Sequence, residues 1–198
     1  MSIKKDSVPK RKSPARERLL ESASRLFSER GYSEVGIDEI IKQSGVAKAT
    51  FYTHFPSKGL LVEAWLQKIH DDSIKHQLEV LNTPGETIDK IIGSFEELKD
   101  HMENHDFRGC PYSNSCAVTD SECILILNQI ESHKEAAREF YFRLTQREIR
   151  DRVLAKKVAD QIFLLFSGAT TESQNLRDIW PVDVAKQTVL LLCEQFFD

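Results

Sequence analysis

Residues 45–58, GVAKATFYTHFPSK, crowd many hydrogen-bonding side chains into one short stretch. If Lys48 to Phe55 is helical, the apolar Val46 and Phe51 turn inward, and the polar side chains occupy the opposite surface. A lysine there can donate to guanine or phosphate, threonine methyl groups can touch thymine methyls, and hydroxyl groups can reach phosphate oxygens. An ordinary solvated helix face carries Glu, Lys and Gln instead, so this pattern favours contact with duplex DNA.

Three short helical patterns contain and precede this stretch. Their apolar residues fall within Leu19–Phe27, Ile37–Ile41 and Val46–Phe55. Ser13-Pro14 predicts the cap and first turn of the first helix, Gly31 its end, Gly45 the end of the second and Pro56 the end of the third. The second helix is only one to two turns long, so it needs packing against its neighbours. This is a helix-turn-helix pattern, whose second member enters the major groove.

The rest of the chain also carries helical periodicity, without the alternation of a strand. A longer helix is predicted to start at Ser57 and to pass through Ile69. Amphipathic stretches follow at about residues 83–105, 120–150, 152–175 and 182–197, interrupted by DFRGCPYSNS and LRDIWP. The sequence therefore predicts an all-α fold, with an N-terminal three-helix domain ahead of a C-terminal helical bundle.

Charge is divided unevenly along the chain. The first 60 residues carry twelve Lys and Arg against seven Asp and Glu, a net charge of +5, whereas the remaining 138 carry a net charge of −9. Seven of the cations lie within the first eighteen residues. A basic arm ahead of a small module suits a polyanion such as DNA, although a disordered, solvated tail has the same composition.

Composition restricts the class of protein. Hydrophobic residues make up 40% of the chain and charged residues 29%, as in a globular protein, and no apolar run reaches eighteen residues. The N-terminus has no apolar signal-peptide core, so we expect a soluble, cytoplasmic protein without contact to a membrane. The cysteines at 110, 116, 123 and 193 form no CxxC pair, and we expect reduced thiols.

From LFSERGYSEVGIDEIIKQSGVAKATFYTHFPSKGLLVEAW the chain resembles the TetR family of one-component transcriptional repressors. The resemblance is most specific in the core Phe51-Tyr52-x-His54-Phe55-x-x-Lys58 and covers roughly residues 15–65; helical layout and a short Arg-Gly-Cys-Pro motif extend it. It implies a homodimer that leaves DNA when a small molecule binds. Residues 1–12 would then be a basic flexible arm, 13–60 the DNA-binding domain, and 61–198 the ligand-binding and dimerisation domain.

Two glycines depart from the family pattern. Gly36 stands where many members carry Ser or Thr at the start of the second helix, so a side-chain phosphate contact is lost. Gly59 replaces a common acidic residue after Lys58 and weakens the local helix start without changing the recognition surface.

The resemblance and the helix-turn-helix pattern together predict the residues that face DNA. These are Gly36, Ile37, Lys48, Ala49, Thr50, Tyr52, Thr53, His54 and Lys58. One recognition helix reads only a few base pairs, so a two-fold dimer on a near-palindromic, double-stranded operator is expected.

The two C-terminal helical stretches are the predicted dimer seam, because their apolar residues exceed what one side of a bundle would bury. The predicted interface residues are Val158, Ile162, Leu165, Phe166, Ala169, Val184, Thr188, Leu191, Leu192 and Gln195. For any single residue of this set, a place in the core of its own chain is nearly as good an interpretation.

Aromatic residues and thiols of the chain's middle predict an effector site. The expected lining is Phe95, Phe107, Cys110, Tyr112, Cys116, Phe140, Tyr141 and Phe163, a set that suits an apolar small-molecule inducer. The alternative is sensing of electrophiles or oxidants through Cys110 and Cys116, with Arg108 favouring the Cys110 thiolate. Small buried hydrophobes are the commoner role of intracellular cysteines.

Two other classes of protein compete with a regulator as interpretations of this sequence. His101, His105 and Cys110 could converge in a thiol or metal enzyme, but a third ligand at standard spacing and any catalytic cysteine signature are missing, and no cofactor motif is present. A helical scaffold for protein partners would need no sequence-specific DNA binding. The sequence therefore favours a regulator without enzymatic activity, cofactor or metal.

Overall fold

A computed structural model describes residues 13–119 and 124–197, and every regular element in these ranges is an α-helix. The helices are α1 Pro14–Arg30, α2 Ile37–Ser44, α3 Lys48–His54, α4 Lys58–Asn82, α5 Thr87–Asn104, α6 Pro111–Val118, α7 Ile124–Glu148, α8 Arg152–Leu176 and α9 Trp180–Phe196. The predicted all-α fold is confirmed. The basic arm of residues 1–12 and Cys123 lie outside the described residues.

The chain divides into two compact units, which meet between Trp65 and Leu66. The domain boundary expected from sequence, after residue 60, falls within α4, which begins in the first unit and ends in the second. Within the described residues, no helix combines the length and apolar character that crossing a bilayer requires.

The first unit is built on the apolar face of α1. Leu19, Ala23 and Phe27 are buried there, and the Phe27 ring meets Trp65 edge to face, 5.2 Å between centroids. Helix α1 ends at Gly31, whose φ of +83° suits a residue without a Cβ. Gly45, in the left-handed region at φ +63°, separates α2 from α3, as the sequence predicted.

The second unit buries its core between α5, α7, α8 and α9. Phe95, Leu144, Ile162 and Val189 are fully buried in this core. A two-pronged ion pair between Arg138 and Asp160 joins α7 to α8 at its edge, with Nε to Oδ1 at 2.9 Å and Nη2 to Oδ2 at 3.0 Å.

The segment DFRGCPYSNS, expected to interrupt the helices, contains α6 from Pro111 onward, so that expectation was wrong for its second half. Proline is tolerated in a first helical turn, which explains how the helix begins there. The preceding loop carries Asp106, Phe107 and Gly109 at positive φ. A Cβ on Gly109 would overlap the Gln174 side chain, and the φ of +67° also favours glycine at this position.

Two other helix starts differ from the sequence expectation. Helix α5 begins at Thr87 rather than near residue 83, because Pro84 and Gly85 occupy the turn that follows α4. Helix α9 begins at Trp180, inside the segment LRDIWP, with Pro181 in its first turn.

Candidate nucleic-acid interface and ligand cavity

Helix α3 presents the polar surface that its sequence spacing predicts. Phe51 is fully buried, and Val46 and Phe55 are buried on either side of the helix. On the opposite surface Tyr52 is 43% exposed, and its ring lies edge-on to Phe51 at 5.1 Å between centroids. Lys48, Ala49 and Thr53 are exposed, whereas Thr50 and His54 are half-buried.

Four of the polar side chains predicted to face DNA already have partners within the unit. Lys48 Nζ donates to Asp38 Oδ1 at 2.9 Å, and Thr53 Oγ1 donates to the Ala49 carbonyl at 2.9 Å. The His54 Nε2 atom lies 3.3 Å from Ser13 Oγ. Ser13 is the N-cap residue of α1, and its side chain accepts no hydrogen bond from the backbone of that helix. The fourth, Lys58, donates to the Ser33 carbonyl at 3.3 Å.

The two lysines of this surface have different environments. The hydrogen bond and charge of Asp38 raise the pKa of Lys48, and both side chains are mostly exposed. Burial lowers the pKa of Lys58, whose ammonium lies 5.8 Å from the centroid of the Tyr32 ring. Exposed ion pairs contribute little to stability, so a phosphate can replace Asp38 as the partner of Lys48 at small cost.

Gly36 and Ile37 begin α2 beside this surface. Gly36 is the N-cap residue, with φ −83° and ψ 151°, and a Cβ built there meets no atom within 4 Å. A serine or threonine, as the family pattern has it, would fit without rearrangement. Ile37 is half-buried.

A cavity of about 590 Å³ lies within the second unit. The apolar part of its wall comprises Val80, Leu98, Ala137, Phe140, Tyr141, Phe163 and Phe166. Charged and polar side chains also line it, among them His76, Lys90, Glu97, His101, Cys110, His133 and Lys134. The volume falls within the range of small-molecule sites, about 300–1,000 Å³.

The structure brings four of the eight predicted effector residues to this cavity and leaves four away from its wall. Cys110, Phe140, Tyr141 and Phe163 line it, whereas Phe95, Phe107, Tyr112 and Cys116 do not. Phe95 is buried behind the wall, edge to face with Phe166 at 5.4 Å between centroids. Phe107 packs half-buried against the core, and Cys116 is exposed. The aromatic character of a residue alone therefore does not tell whether it lines the cavity or belongs to the buried core.

Sequence reasoning missed the charged part of the wall. His133 and Lys134 lie in the middle of α7, where the sequence pattern equals that of an ordinary solvated helix face. The His133 ring stacks on Tyr112 at 3.7 Å between centroids, and the Tyr112 hydroxyl donates to the Leu66 carbonyl at 2.6 Å. Burial, assisted by Lys134 and His70, lowers the pKa of His133 to about 4, so this imidazole is neutral near pH 7.

Lys134 is the cation that contacts the cavity thiol. Its Nζ donates to Cys110 Sγ at 3.8 Å. The predicted influence of Arg108 on this thiol stays a prediction. A helix contact brings Lys134, 24 positions along the chain, to the same sulfur, which the sequence does not show.

The predicted dimer residues divide between core and surface. Val158, Ile162 and Ala169 are buried in the core of their own chain, so they are not available to a partner surface. Leu165, Phe166 and Leu192 are half-buried; Val184, Thr188, Leu191 and Gln195 are exposed. Leu164 and Trp180, which the sequence analysis left out, are 66% and 53% exposed on the same two helices.

The histidines considered for a metal site do not assemble one. His101 and His105 stack on each other at 4.4 Å between centroids, and His101 lines the cavity, as Cys110 does. Over residues 13–119 and 124–197, no group of three or more His, Cys, Asp or Glu side chains is placed to hold a metal ion.

A short helix held against two others, entered through a left-handed glycine, defines a helix-turn-helix DNA-binding unit. The sequence profile described as "Bacterial regulatory proteins, tetR family" matches residues 19–65, which contain α2 and α3. The chain belongs to the TetR family of transcriptional regulators. Its fold and relatives are those of DNA-binding regulators and not of enzymes.

Sequence similarity to known proteins extends beyond the DNA-binding unit. The transcriptional activator FasR of Mycolicibacterium smegmatis is 32% identical over 67% of this chain, and the match covers 59% of FasR. The uncharacterised regulator YxaF of Bacillus subtilis is 27% identical, over 78% of this chain and 80% of YxaF. The chain thus spans about three-fifths of the first relative's length.

Solved structures resemble this chain along most of its length. A TetR regulator from Chloroflexus aurantiacus has a TM-score of 0.77 at 25% identity, covering 92% of this chain and 96% of that one. The reduced form of Escherichia coli NemR has a TM-score of 0.78 at 19% identity, covering 91% and 98%. At that identity the likeness to NemR concerns the fold.

Asp38→Asn should strengthen binding to any duplex several-fold at low salt. The substitution removes the carboxylate that holds Lys48, and the freed ammonium can neutralise one further phosphate, which steepens the slope of log K against log salt by up to about 0.9. Fluorescence anisotropy with operator and unrelated duplexes measures both quantities. In a Lys48→Ala background the gain should shrink; an equal gain with and without Lys48 would show that the ion pair is irrelevant.

Proposed function

We propose that this regulator is a homodimeric, cytoplasmic repressor that binds a near-palindromic operator and is released when an apolar small molecule occupies the cavity of the second unit. The observation that carries the inducer part is the aromatic wall formed by Phe140, Tyr141, Phe163 and Phe166 around about 590 Å³. Repression is the mode of DhaR and KstR2, two similar proteins named as repressors, while FasR is named as an activator.

The operator-facing surface is α3 together with the start of α2. Lys48, Ala49 and Tyr52 are the exposed residues that base edges would meet, and His54 and Lys58 are phosphate contacts. The basic arm of residues 1–12 adds contacts to flanking backbone or minor groove. Its cations contribute affinity without sequence preference.

Removing the base-reading side chains should abolish operator preference. The double variant Lys48→Ala, Tyr52→Ala loses contacts that are each valued at about 1–3 kcal/mol, so operator affinity should fall at least tenfold toward that for unrelated duplex. Lys58→Ala should weaken both duplexes alike. Anisotropy with an operator selected from a random duplex pool measures the ratio, and a double variant with unchanged selectivity would refute this docking.

Dimerisation is supported by an apolar stripe on α8 and α9. Leu164, Val184 and Leu191 are 66%, 49% and 65% exposed, an unusual state for large aliphatic side chains on consecutive helices. Gly168 is exposed on the same pair of helices, and a small residue there permits close approach of a second copy. Two recognition helices about 34–36 Å apart would then reach successive half-sites.

A charge in the middle of the stripe should separate the protomers. Leu191→Glu places a carboxylate where the partner's apolar face would cover it, which costs several kcal/mol, so the variant should sediment as a monomer and lose most of its operator affinity. Leu78→Glu is the matched control, because Leu78 is 42% exposed on α4 and lies outside the stripe. Sedimentation velocity measures the oligomeric state of both variants, and a Leu191→Glu variant that remains a dimer would show that this stripe is not the dimer interface.

Electrophile sensing through Cys110 is the second candidate, favoured by the position of this thiol in the cavity wall. A quinone entering the cavity would meet the Cys110 sulfur beside the Lys134 ammonium. The sulfur adds to a ring carbon, and the thiol proton and the ring hydrogen pass to the two oxygens, which leaves a hydroquinone thioether. Cys116, the second thiol predicted to sense electrophiles, is exposed and lies away from the cavity wall, so a quinone held in the cavity would not meet it.

Cys110→Ser distinguishes the two inducer types. If the apolar ligand is the inducer, benzoquinone should not release wild-type protein from operator any faster than Cys110→Ser. If the thiol senses electrophiles, release should require Cys110 and persist in Cys116→Ser. Gel shift combined with intact-protein mass spectrometry reports release and the adduct together, and Cys110-dependent release would reverse the order of the two candidates.

A further inference from the structure

Lys134 lines the cavity together with the aromatic side chains. The partner that the structure provides for its ammonium is a thiol, a weak hydrogen-bond acceptor, at 3.8 Å. Within residues 13–119 and 124–197, Lys134 forms no ion pair with a carboxylate. A neutral ligand that filled this cavity would remove the unpaired ammonium from water, which costs binding free energy.

Two other polar groups of the wall have partners among the described residues. The Glu97 Oε2 atom lies 2.9 Å from His76 Nε2. Ser94 Oγ donates to the Ile91 carbonyl at 2.6 Å and lies 3.0 Å from the Tyr141 hydroxyl. Among the described residues, Lys134 is by contrast a charged group of the wall with which no carboxylate forms an ion pair.

The aromatic wall and Lys134 would bind different parts of one ligand. Phe140, Phe163 and Phe166 offer apolar surface to a hydrocarbon body, and Lys134 offers an ammonium to an anionic group. His133, the adjacent residue, is held neutral against Tyr112 and adds no second charge to this end of the cavity. Lys90, the other lysine of the lining, is offset in formal charge by Glu97, so the surplus of one positive charge suits a single negative charge.

We propose that the ligand of this cavity is an amphiphilic monoanion, a carboxylate on an alkyl or aryl body, whose carboxylate pairs with Lys134. This inference rests on the proposed inducer function, because it names the chemical class of that inducer. The carboxylate displaces the Cys110 thiol as the partner of the ammonium, and the body lies against the aromatic wall. Hydrogen bonds to charged groups are the strong ones, so this pair dominates selectivity.

Matched ligands test the charge directly. Straight-chain alkanoates of six to fourteen carbons and ω-phenylalkanoates of four to eight are compared with their primary amides by isothermal titration calorimetry against the full chain. At least one carboxylate should bind about 10- to 100-fold more tightly than its amide. Amides that bind as well as the acids, or a panel in which no carboxylate binds, would overturn the proposal.

Variants of Lys134 locate the charge. Lys134→Met and Lys134→Gln should reduce carboxylate affinity to that of the amide, whereas Lys134→Arg should retain most of it. Lys75→Met is the control, since it removes an exposed lysine of α4 that lies outside the cavity wall. Circular dichroism and the thermal midpoint verify folding, and an undiminished carboxylate preference in both folded Lys134 variants would contradict the pairing.

Release from operator separates this inference from the function on which it rests. Neutral ligands that release operator while carboxylates neither bind nor release would overturn the anionic class and leave the inducer function standing. Carboxylates that bind through Lys134 without releasing operator would support the ligand class and refute the inducer function.

Discussion

The DNA-binding surface depends on the burial of Phe51, which fixes α3 against α1 and α2. Helices α2 and α3 have eight and seven residues, too few to be stable alone in water. Their backbone is fixed because Phe51 and Ile40 are fully buried against the apolar face of α1. Side chains on the outer surface of α3 can therefore be selected for contact rather than for helix stability, which explains why the run Thr50-Phe51-Tyr52-Thr53-His54 contains no strong helix former.

Both candidate sites hold a lysine with a replaceable partner. Lys48 is paired with an exposed aspartate, and Lys134 with a thiol. Each partner keeps the ammonium in place while binding it weakly enough for a phosphate or a carboxylate to take over. The same physical arrangement thus serves a polyanion at one surface and, as we propose, a small anion in the cavity.

Backbone geometry around residues 105–110 sets one end of the cavity. Two non-glycine residues at positive φ, Asp106 and Phe107, precede Gly109, and Asp106 forms an ion pair with Arg177 at the end of α8. The Gln174 amide fills the space that a Cβ on Gly109 would need and donates to Asn114 Oδ1 at 2.9 Å. This loop holds Cys110 at the start of α6, in the cavity wall.

The sequence by itself determined the helices of the first unit, the glycine turn and the inward side of α3, because these follow from local periodicity and from residues with special backbone preferences. It also indicated that α8 and α9 carry excess apolar surface. Tertiary structure alone decided that Val158 and Ile162 belong to the core while Leu164 faces outward, since the rotation of a helix depends on what packs against it. It likewise decided that Asp38 meets Lys48 and that Lys134 meets Cys110, because such pairs join residues distant along the chain, and no local pattern encodes them.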